Sequence, residues 1–288
     1  MIESLEPYWK HIHACNGWNP EGFRGFWVDG QRRGFVKQAF AERLKSWPDV
    51  FLVKPAEVHL HSRLADFDQR NHALDKVQEG LLSDGDVPYL MGEPFPVGPD
   101  RDRPDCLLDR AVAVRFGIRA WGQHINGFVR DGEDLFLWVA KRAKDKRNHP
   151  GMLDHIAAGG VPHGLSLTEN LLKECWEEAN IPAPLAGQAR PVNALSYCRE
   201  TETGLKSDTI YCYDLELPAD FRPSCNDGEV EEFQLLPLNE VQGLVRDSEA
   251  FKPNCNLVII DFLIRHGSLR PDMAGYAELV TALHPPLP

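Results

Sequence analysis

One short segment, residues 159–181, constrains this chain more than any other. It opens with two glycines and runs through Ser166-Leu-Thr-Glu169 into a stretch whose apolar residues recur at helical spacing. Ser166 and Glu169 have the spacing of a capping box, in which each side chain accepts a hydrogen bond from the backbone of the other residue. The sequence therefore predicts a helix that begins just after Ser166. Its buried stripe is expected to comprise the apolar residues at 167, 171, 172, 175 and 179.

Three glutamates of this predicted helix, Glu174, Glu177 and Glu178, stand at positions i, i+3 and i+4 and so share one side. Like charges at this spacing destabilise an isolated helix by about 0.2–0.5 kcal/mol per pair. A divalent cation removes the repulsion, and a compact set of oxygen ligands suits Mg²⁺ or Mn²⁺. A solvated acidic face is the commoner explanation of such a cluster on its own. The glycine pair, the capped start and Lys173 directly before Glu174 favour a metal site here.

The charge balance excludes one large class of partners. Acidic residues outnumber basic ones by 43 to 31, which gives a formal net charge of −12. The average field of such a chain repels polyanions, so we expect no nucleic-acid binding. An anionic small molecule needs only a few cations in a cleft and a metal. Hydrophobic residues make up 43% of the chain, which is enough for a folded core.

The cysteines and the N-terminus suggest a cellular compartment. The seven cysteines are scattered, odd in number and contain no CxxC motif, a pattern that favours reduced thiols over a disulfide framework or a zinc site. The first residues carry charges where a signal peptide has an apolar core, and no apolar run approaches ~18 residues. We therefore expect a cytoplasmic protein that does not enter a membrane.

The sequence pattern changes near residue 120. Residues 1–120 are expected to form a small α/β domain that includes an irregular, Pro- and Gly-rich connection at 84–105. Beyond it, runs at 124–130 and 135–141 flank Asp131-Gly132 and predict a hairpin. Residues 121–288 are thus expected to form a second domain, a mixed sheet with helices on its faces. Its further elements are predicted as strands at 194–198, 209–217 and 232–237 and a closing helix at 256–266.

The acidic segment resembles the Nudix box, G-x5-E-x7-R-E-U-x-E-E-x-G-U, where U is aliphatic. Three positions depart from that pattern: Leu165 replaces the first glutamate, Lys173 the arginine and Asn180 the glycine. Asn tolerates the left-handed conformation that the glycine supplies, and lysine keeps the charge without the bidentate fork. Glu169 could pair with Lys173 in place of the missing glutamate, or serve the capping box alone. The matching positions are Gly159, Glu174, Cys175, Glu177, Glu178 and Ile181.

The resemblance extends over most of the chain. It includes the runs at 122–127, 149–154, 157–160, 226–233, 251–255 and 261–267. Together these look like one Nudix subfamily, which forms the N-terminal part of fungal thiamine pyrophosphokinases and has stand-alone plant, yeast and bacterial homologues. The resemblance implies a Nudix α/β/α sandwich preceded by a small α/β domain. It also implies hydrolysis of a diphosphate to a monophosphate, with oxidised thiamine diphosphate among the implied substrates.

Site residues follow from the box positions. Glu177 and Glu178 are the expected metal ligands, and Glu174 is a ligand or the group that orients the attacking water. Gly159, Gly160, Glu169 and Lys173 are expected to support the box. A further carboxylate from a later loop is expected to assist catalysis, with Glu229 as the candidate and Glu231 and Glu232 as competitors; any of the three could be a solvated charge.

Substrate contacts are predicted outside the box. Lys141, Arg142 and Lys146 could bind the diphosphate, although surface solubility explains each of them equally well. An aromatic ring of the substrate could stack on Trp138, with Trp121 and Phe136 as alternatives, although aromatic residues in strands are more often core. His124 and Asn126 share one face of the first hairpin strand and could line a polar cleft or be structural. A homodimer stays open.

Three alternatives remain. The first is another Nudix specificity, such as ADP-ribose, NADH or a nucleoside diphosphate derivative. The second, isopentenyl diphosphate isomerase, needs a protonating cysteine, and Cys175 lies on the apolar side of the predicted helix. The third is a Nudix-like ligand-binding protein whose box has decayed, which Leu165 favours and the three retained glutamates oppose.

Overall fold

The computed structural model describes residues 4–288. That part of the chain contains both helices and strands, besides two short 3₁₀ turns. The strands are β1 (Phe23–Val28), β2 (Gln31–Lys37), β3 (Phe51–Val53), β4 (Glu57–Leu60), β5 (Pro94–Val97), β6 (Cys106–Asp109), β7 (Arg119–Asp131), β8 (Asp134–Arg142), β9 (Leu153–His155), β10 (Ala157–Gly160), β11 (Arg190–Glu200), β12 (Leu205–Glu216) and β13 (Val230–Pro237). The helices are α1 (Trp9–Cys15), α2 (Gln38–Leu44), α3 (Phe67–Ser83), α4 (Arg110–Phe116), α5 (Leu167–Ala179), α6 (Ala183–Ala186), α7 (Leu238–Asp247), α8 (Pro253–Arg265) and α9 (Tyr276–Ala282).

The larger sheet has the order β11-β12-β7-β8-β13. Its β12–β7 pair is parallel and the other pairs along this path are antiparallel. The predicted hairpin β7–β8 is present, but its two strands pair only near the turn, from Phe128↔Leu137 to Asp131↔Asp134. Farther from the turn the strands diverge and the segment β9–β10 fills the gap, with β9 on β8 and β10 on β7. The mixed sheet predicted from the sequence is confirmed.

Each face of this sheet is covered by helices because alternate residues of its strands are apolar on both sides. On one face, Ile125 and Val129 of β7 lie in a buried cluster with Leu171 and Cys175 of α5. On the other, Phe128 packs on Phe262 of α8 with its ring centroid 5.8 Å away. The result is the α/β/α sandwich expected from the sequence. Cys175 is completely buried and faces the core.

The preceding part of the chain has its own core. A four-stranded sheet of order β2-β1-β4-β3 and the two-stranded sheet β5–β6 pack with α2, α3 and α4 around Phe26, Leu74 and Phe116. The first helix is an exception, because Ile12 and Cys15 lie in the buried cluster around α8. Within residues 4–288, no helix is long and apolar enough to cross a membrane.

Candidate functional site

Helix α5 begins and ends as its sequence predicts. Ser166 is the N-cap, its hydroxyl accepts from the Glu169 backbone N–H, and Glu169 Oε2 accepts from the Ser166 N–H at 2.9 Å. At the other end Asn180 adopts the left-handed conformation, with φ at 52°. Its side chain donates to Ser224 Oγ and accepts from Asn226. The cap therefore also attaches the later loop, residues 221–229, to the end of the helix.

Glu174 is buried against the glycine turn that precedes the helix. A β-carbon on Gly159 would stand 2.5 Å from Glu174 Oε2, so only glycine leaves room for this carboxylate. Burial raises the pKa of Glu174, although Lys173 and Arg110 lower it in part. The first glycine of the segment thus has a specific function, which is to admit a carboxylate into the space beside β10.

Glu178 lies one turn farther along the helix and is fully enclosed. Its Oε2 accepts a hydrogen bond from the Ala158 backbone N–H at 2.7 Å. Burial raises its pKa well above the usual value, and the charges of Asp154, Glu174 and Glu229 raise it further. A buried carboxylate without a cation beside it is costly. Glu178 therefore has the electrostatic environment that a divalent ion would relieve.

Glu177 is half-exposed and is paired with Lys173. The lysine Nζ lies 2.9 Å from Glu177 Oε2 and 3.0 Å from Glu174 Oε1, so one ammonium group bridges two of the three carboxylates. Burial lowers the pKa of Lys173, but these two ion pairs raise it by more. The alternative pairing of Lys173 with Glu169 is wrong, because Glu169 is occupied by the capping box.

The three glutamates share one side of α5 but do not converge on one point. Within residues 4–288, the residues whose potential metal-ligating atoms all lie within 4.8 Å of one another are instead His124, Asp154, His155 and Cys255. The glutamates still suit Mg²⁺ or Mn²⁺, because they offer hard oxygen donors and because Glu174 and Glu178 are buried with raised pKa values. The ammonium group of Lys173 already occupies a cation position between Glu174 and Glu177.

Of the three later carboxylates, Glu229 is the one whose charge is felt at Glu178. It also forms an ion pair with Lys146. Glu231 instead pairs with Lys144 and Lys141 at 3.6 and 3.9 Å. Glu231 and Glu232 both line a pocket of about 320 Å³ whose other walls are Trp138, Arg222, Pro223, Ser224, Cys225, Val230 and Phe233. Glu229 therefore acts electrostatically on a glutamate of α5, whereas Trp138 lines the same pocket as Glu231 and Glu232.

His124, Asn126 and Arg142 lie away from α5. His124 and Asn126 project from β7 toward α8, on the other face of the sheet, where His124 Nδ1 is 2.9 Å from the Nδ1 of His155. Asn126 donates to Asp214 at 2.9 Å. Arg142 is buried in an ion pair with Asp154 at 2.8 Å. Of the alternative aromatics, Trp121 is buried and Phe136 packs beside the α5 core.

The structure adds a residue that the motif did not indicate. Arg110, at the start of α4, lies over the glycine turn: a β-carbon on Gly160 would stand 3.3 Å from its Cζ and 2.9 Å from Phe95 Cζ. Its Nη1 donates to Glu93 at 2.9 Å, and 40% of the side chain is exposed. Its charge acts on Glu174. The sequence held no signal for this contact, because the two segments are about fifty residues apart.

A second arginine of the N-terminal part also contacts the box. Arg101 Nη1 donates to the backbone carbonyl of Leu165 at 2.8 Å, and the His163 N–H donates to the Pro94 carbonyl at 2.7 Å. Leu165 therefore does not brace the helix through its side chain, as the glutamate it replaces would. Its backbone is held instead by the preceding part of the chain.

Comparison with known proteins agrees with this architecture. The sequence profile of the NUDIX domain matches residues 120–255, and a domain of unknown function, DUF4743, matches residues 7–120. "Nudix hydrolase 20, chloroplastic" of Arabidopsis thaliana is 40% identical over 97% of this chain and 78% of its own length. The chain belongs to the Nudix hydrolase family. "Nudix hydrolase 24, chloroplastic" of the same plant is 41% identical, again over 97% of this chain and 78% of its own length.

Solved Nudix structures resemble about half of this Nudix protein. The NUDIX domain of Shewanella oneidensis NrtR, complexed with ADP ribose, is 13% identical with a TM-score of 0.42, and the match covers 52% of this chain and 90% of that one. The DR0079 protein of Deinococcus radiodurans is 22% identical with a TM-score of 0.45, over 59% of this chain and 98% of that one.

Proposed function

We propose that this Nudix enzyme is a metal-dependent diphosphatase that cleaves the diphosphate linkage of a small organic molecule to a monophosphate. Family membership supports a hydrolase of this type. The observation that carries the metal dependence is the pair of buried, adjacent carboxylates Glu174 and Glu178, both with raised pKa values. Such a pair is costly unless a cation shares the site.

The proposed metal ligands are Glu174, Glu177 and Glu178, with Mg²⁺ or Mn²⁺ as the ion. When bound, the ion would polarise the phosphoryl oxygens and lower the pKa of a water ligand. The protein's own contribution is placement. Gly159 admits Glu174 and the Ala158 N–H donates to Glu178, so both carboxylates are held beside β10. Glu174 is proposed as a ligand or as the group that orients the attacking water. Glu229 is proposed as the assisting carboxylate.

Cations for the diphosphate are proposed on both sides of the glutamates. Lys146 reaches the site through its ion pair with Glu229, and Arg110 lies over Gly160 with 40% of its side chain exposed. Charge-assisted hydrogen bonds from such groups stabilise the charge that develops on phosphoryl oxygens as the bond breaks. Arg142 is a weaker candidate because Asp154 already neutralises it.

For the organic end of the substrate we propose the pocket beside Trp138. Its volume of about 320 Å³ suits one or two rings, and the loop that forms its wall is attached to the end of α5 through Asn226, whose N–H donates to the Glu177 carbonyl at 2.8 Å. Oxidised thiamine diphosphate is the substrate we propose first. ADP-ribose is the alternative, and the pocket does not separate the two.

Three further features of the protein stay predictions. The DUF4743 region contacts the glycine turn, which agrees with a role in closing the site. The sequence leaves a homodimer open and predicts a cytoplasmic location, and the two plant relatives carry "chloroplastic" in their names.

A panel of diphosphates tests the proposal. Thiamine diphosphate, oxothiamine diphosphate and ADP-ribose are incubated with the purified enzyme and Mg²⁺ or Mn²⁺, and the monophosphate product is measured. We expect turnover that chelation abolishes and that Glu178→Gln lowers by about 10²–10³-fold. Glu169→Gln is the matched control, because glutamine also serves the capping box. Binding without turnover in this panel would instead support the ligand-binding alternative.

A further inference from the structure

A second group of candidate metal ligands lies on the sheet face opposite α5. His124 projects from β7, Asp154 and His155 from β9, and Cys255 from the first turn of α8. The four residues are separated by up to 131 positions in the chain and meet only because β9 fills the gap between β7 and β8 while α8 covers the other face. Each of the four residues is at least 95% buried.

Their donor atoms are mutually close. His124 Nδ1 lies 2.9 Å from His155 Nδ1 and 3.9 Å from Cys255 Sγ. Asp154 Oδ1 lies 2.8 Å from Cys255 Sγ and 3.9 Å from His155 Nδ1. No pair in the set exceeds 4.8 Å. Ligands of a tetrahedral zinc ion, at about 2.0–2.3 Å from the metal, stand roughly 3.4 Å apart, which falls inside this range.

The surroundings resemble the support that metal ligands usually receive. The second oxygen of Asp154 accepts from Arg142 at 2.8 Å and from Lys252 at 3.0 Å, which leaves Oδ1 directed at the cluster. Asn254 Nδ2 lies 3.4 Å from the outer nitrogen of His124. Hydrogen bonds of this kind orient ligating carboxylates and imidazoles.

The group is poorly explained as ordinary core. Two imidazoles that face each other through their Nδ1 atoms satisfy at most one donor and one acceptor between them. A thiol, a carboxylate and two imidazoles gathered in one core need a further reason.

We propose that His124 Nδ1, His155 Nδ1, Asp154 Oδ1 and Cys255 Sγ bind a zinc ion with a structural role. Nitrogen and sulfur donors select Zn²⁺ over Mg²⁺. Four protein ligands close the coordination shell, so this ion would hold α8 against β7 and β9 and take no part in hydrolysis. On binding, Zn²⁺ replaces the thiol proton of Cys255, which leaves as H⁺. The site is separate from the glutamates of α5 and does not depend on their proposed function.

None of the seven cysteines belongs to a CxxC motif, a pattern that favours reduced thiols over a zinc site built from neighbouring cysteines. A site with a single thiolate, whose other ligands come from separate strands, leaves no such spacing to recognise.

Metal content and cobalt spectroscopy test the proposal. The full-length protein is purified without a metal-affinity step or chelator and its zinc is measured. A sample stripped with a chelator is then reconstituted with Co²⁺. We expect about one zinc per chain and a thiolate-to-cobalt charge-transfer band in the near ultraviolet. Cys255→Ser should remove the band. Cys212→Ser, which changes a buried thiol of the same core that donates to the Ile210 carbonyl, should retain it.

Two measurements keep the proposal falsifiable if Cys255→Ser does not fold. Stripping the wild-type protein of zinc should lower its unfolding temperature, and added zinc should restore it, as expected for an ion that binds only the folded state. His155→Ala keeps the thiol and should still lose zinc. Wild-type protein that contains no zinc and gives no thiolate band with Co²⁺ would overturn the proposal, whether or not the enzyme hydrolyses diphosphates.

Discussion

Gly159 and the carboxylate of Glu174 occupy neighbouring space so closely that no side chain fits between them. A β-carbon on Gly159 would stand 2.5 Å from Glu174 Oε2 and closer still to Cδ. The glycine therefore sets the position of a proposed catalytic carboxylate fifteen residues away.

We expect Gly159→Ala to displace Glu174 and lower kcat/KM by about tenfold to a hundredfold, since a shift of about 1 Å in a catalytic group has effects of that size. Overpacking of the turn should also cost about 1–3 kcal/mol of stability. Steady-state kinetics and chemical denaturation measure both. Gly22→Ala is the control, because no atom lies within 4 Å of its β-carbon position. Unchanged kinetics for Gly159→Ala would mean that Glu174 is not catalytic where it now lies.

Removal of the bridging ammonium should strengthen metal binding. In Lys173→Gln, Glu174 and Glu177 lose the cation that now lies between them. A charge about 4 Å from the site contributes about 1 kcal/mol in a solvated setting, so the Kd for Mn²⁺ should fall about fivefold. Titration calorimetry measures this, and the unfolding temperature without metal should fall. Lys45→Gln, which breaks the exposed pair with Glu42, is the control. Weaker Mn²⁺ binding in Lys173→Gln would show that the lysine supports the ion.

The arginine supplied by the N-terminal part should affect hydrolysis without changing the fold. We expect Arg110→Gln to lower kcat/KM by about tenfold, which corresponds to the loss of one charge-assisted hydrogen bond to the diphosphate. Kinetics with the best substrate of the panel measures the change. Arg130→Gln, at the exposed end of β7, is the control. A normal kcat/KM in Arg110→Gln would restrict the role of this arginine to its pair with Glu93.

The attachment of α8 to the sheet should weaken in acid. Burial raises the pKa of Asp214, but hydrogen bonds from His266, Arg265 and Asn126 lower it by more, to about 2 from 3.8. Because the folded-state pKa is the lower one, this stabilisation is present above pH about 4 and is lost as the pH falls toward about 2. The stabilisation contributes about 2 kcal/mol to the free energy of unfolding.

Denaturant unfolding between pH 7 and the acid limit measures this loss. Asp214→Asn should reduce the stability at neutral pH and flatten its acid dependence, since the neutral amide does not titrate. Asp131→Asn, on the hairpin turn, removes a carboxylate without these hydrogen bonds and is the control. If the free energy of unfolding of Asp214→Asn fell with decreasing pH as steeply as that of the wild type, Asp214 would not be the source of the acid dependence.

Much of the fold was predictable because its signals are local. The cap of α5 needs only Ser166 and Glu169, three residues apart, and the β7–β8 turn needs only Asp131-Gly132. The apolar-rich run at 124–130 predicts a strand but not which of its sides faces which helix. The sequence therefore left His124 and Asn126 open between a polar cleft and a structural role, and in the structure their side of β7 packs on α8.

The sequence by itself determined the helix that carries the glutamates and its capped ends, because spacing on one helix converts directly into geometry. The tertiary structure alone decided that Arg110 covers Gly160, that Lys173 bridges two carboxylates instead of bracing Glu169, and that His124 meets Cys255. The physical reason is that contacts between distant segments depend on how strands pair and which faces helices cover. Those choices arise from the burial of the whole core and leave no local spacing in the chain.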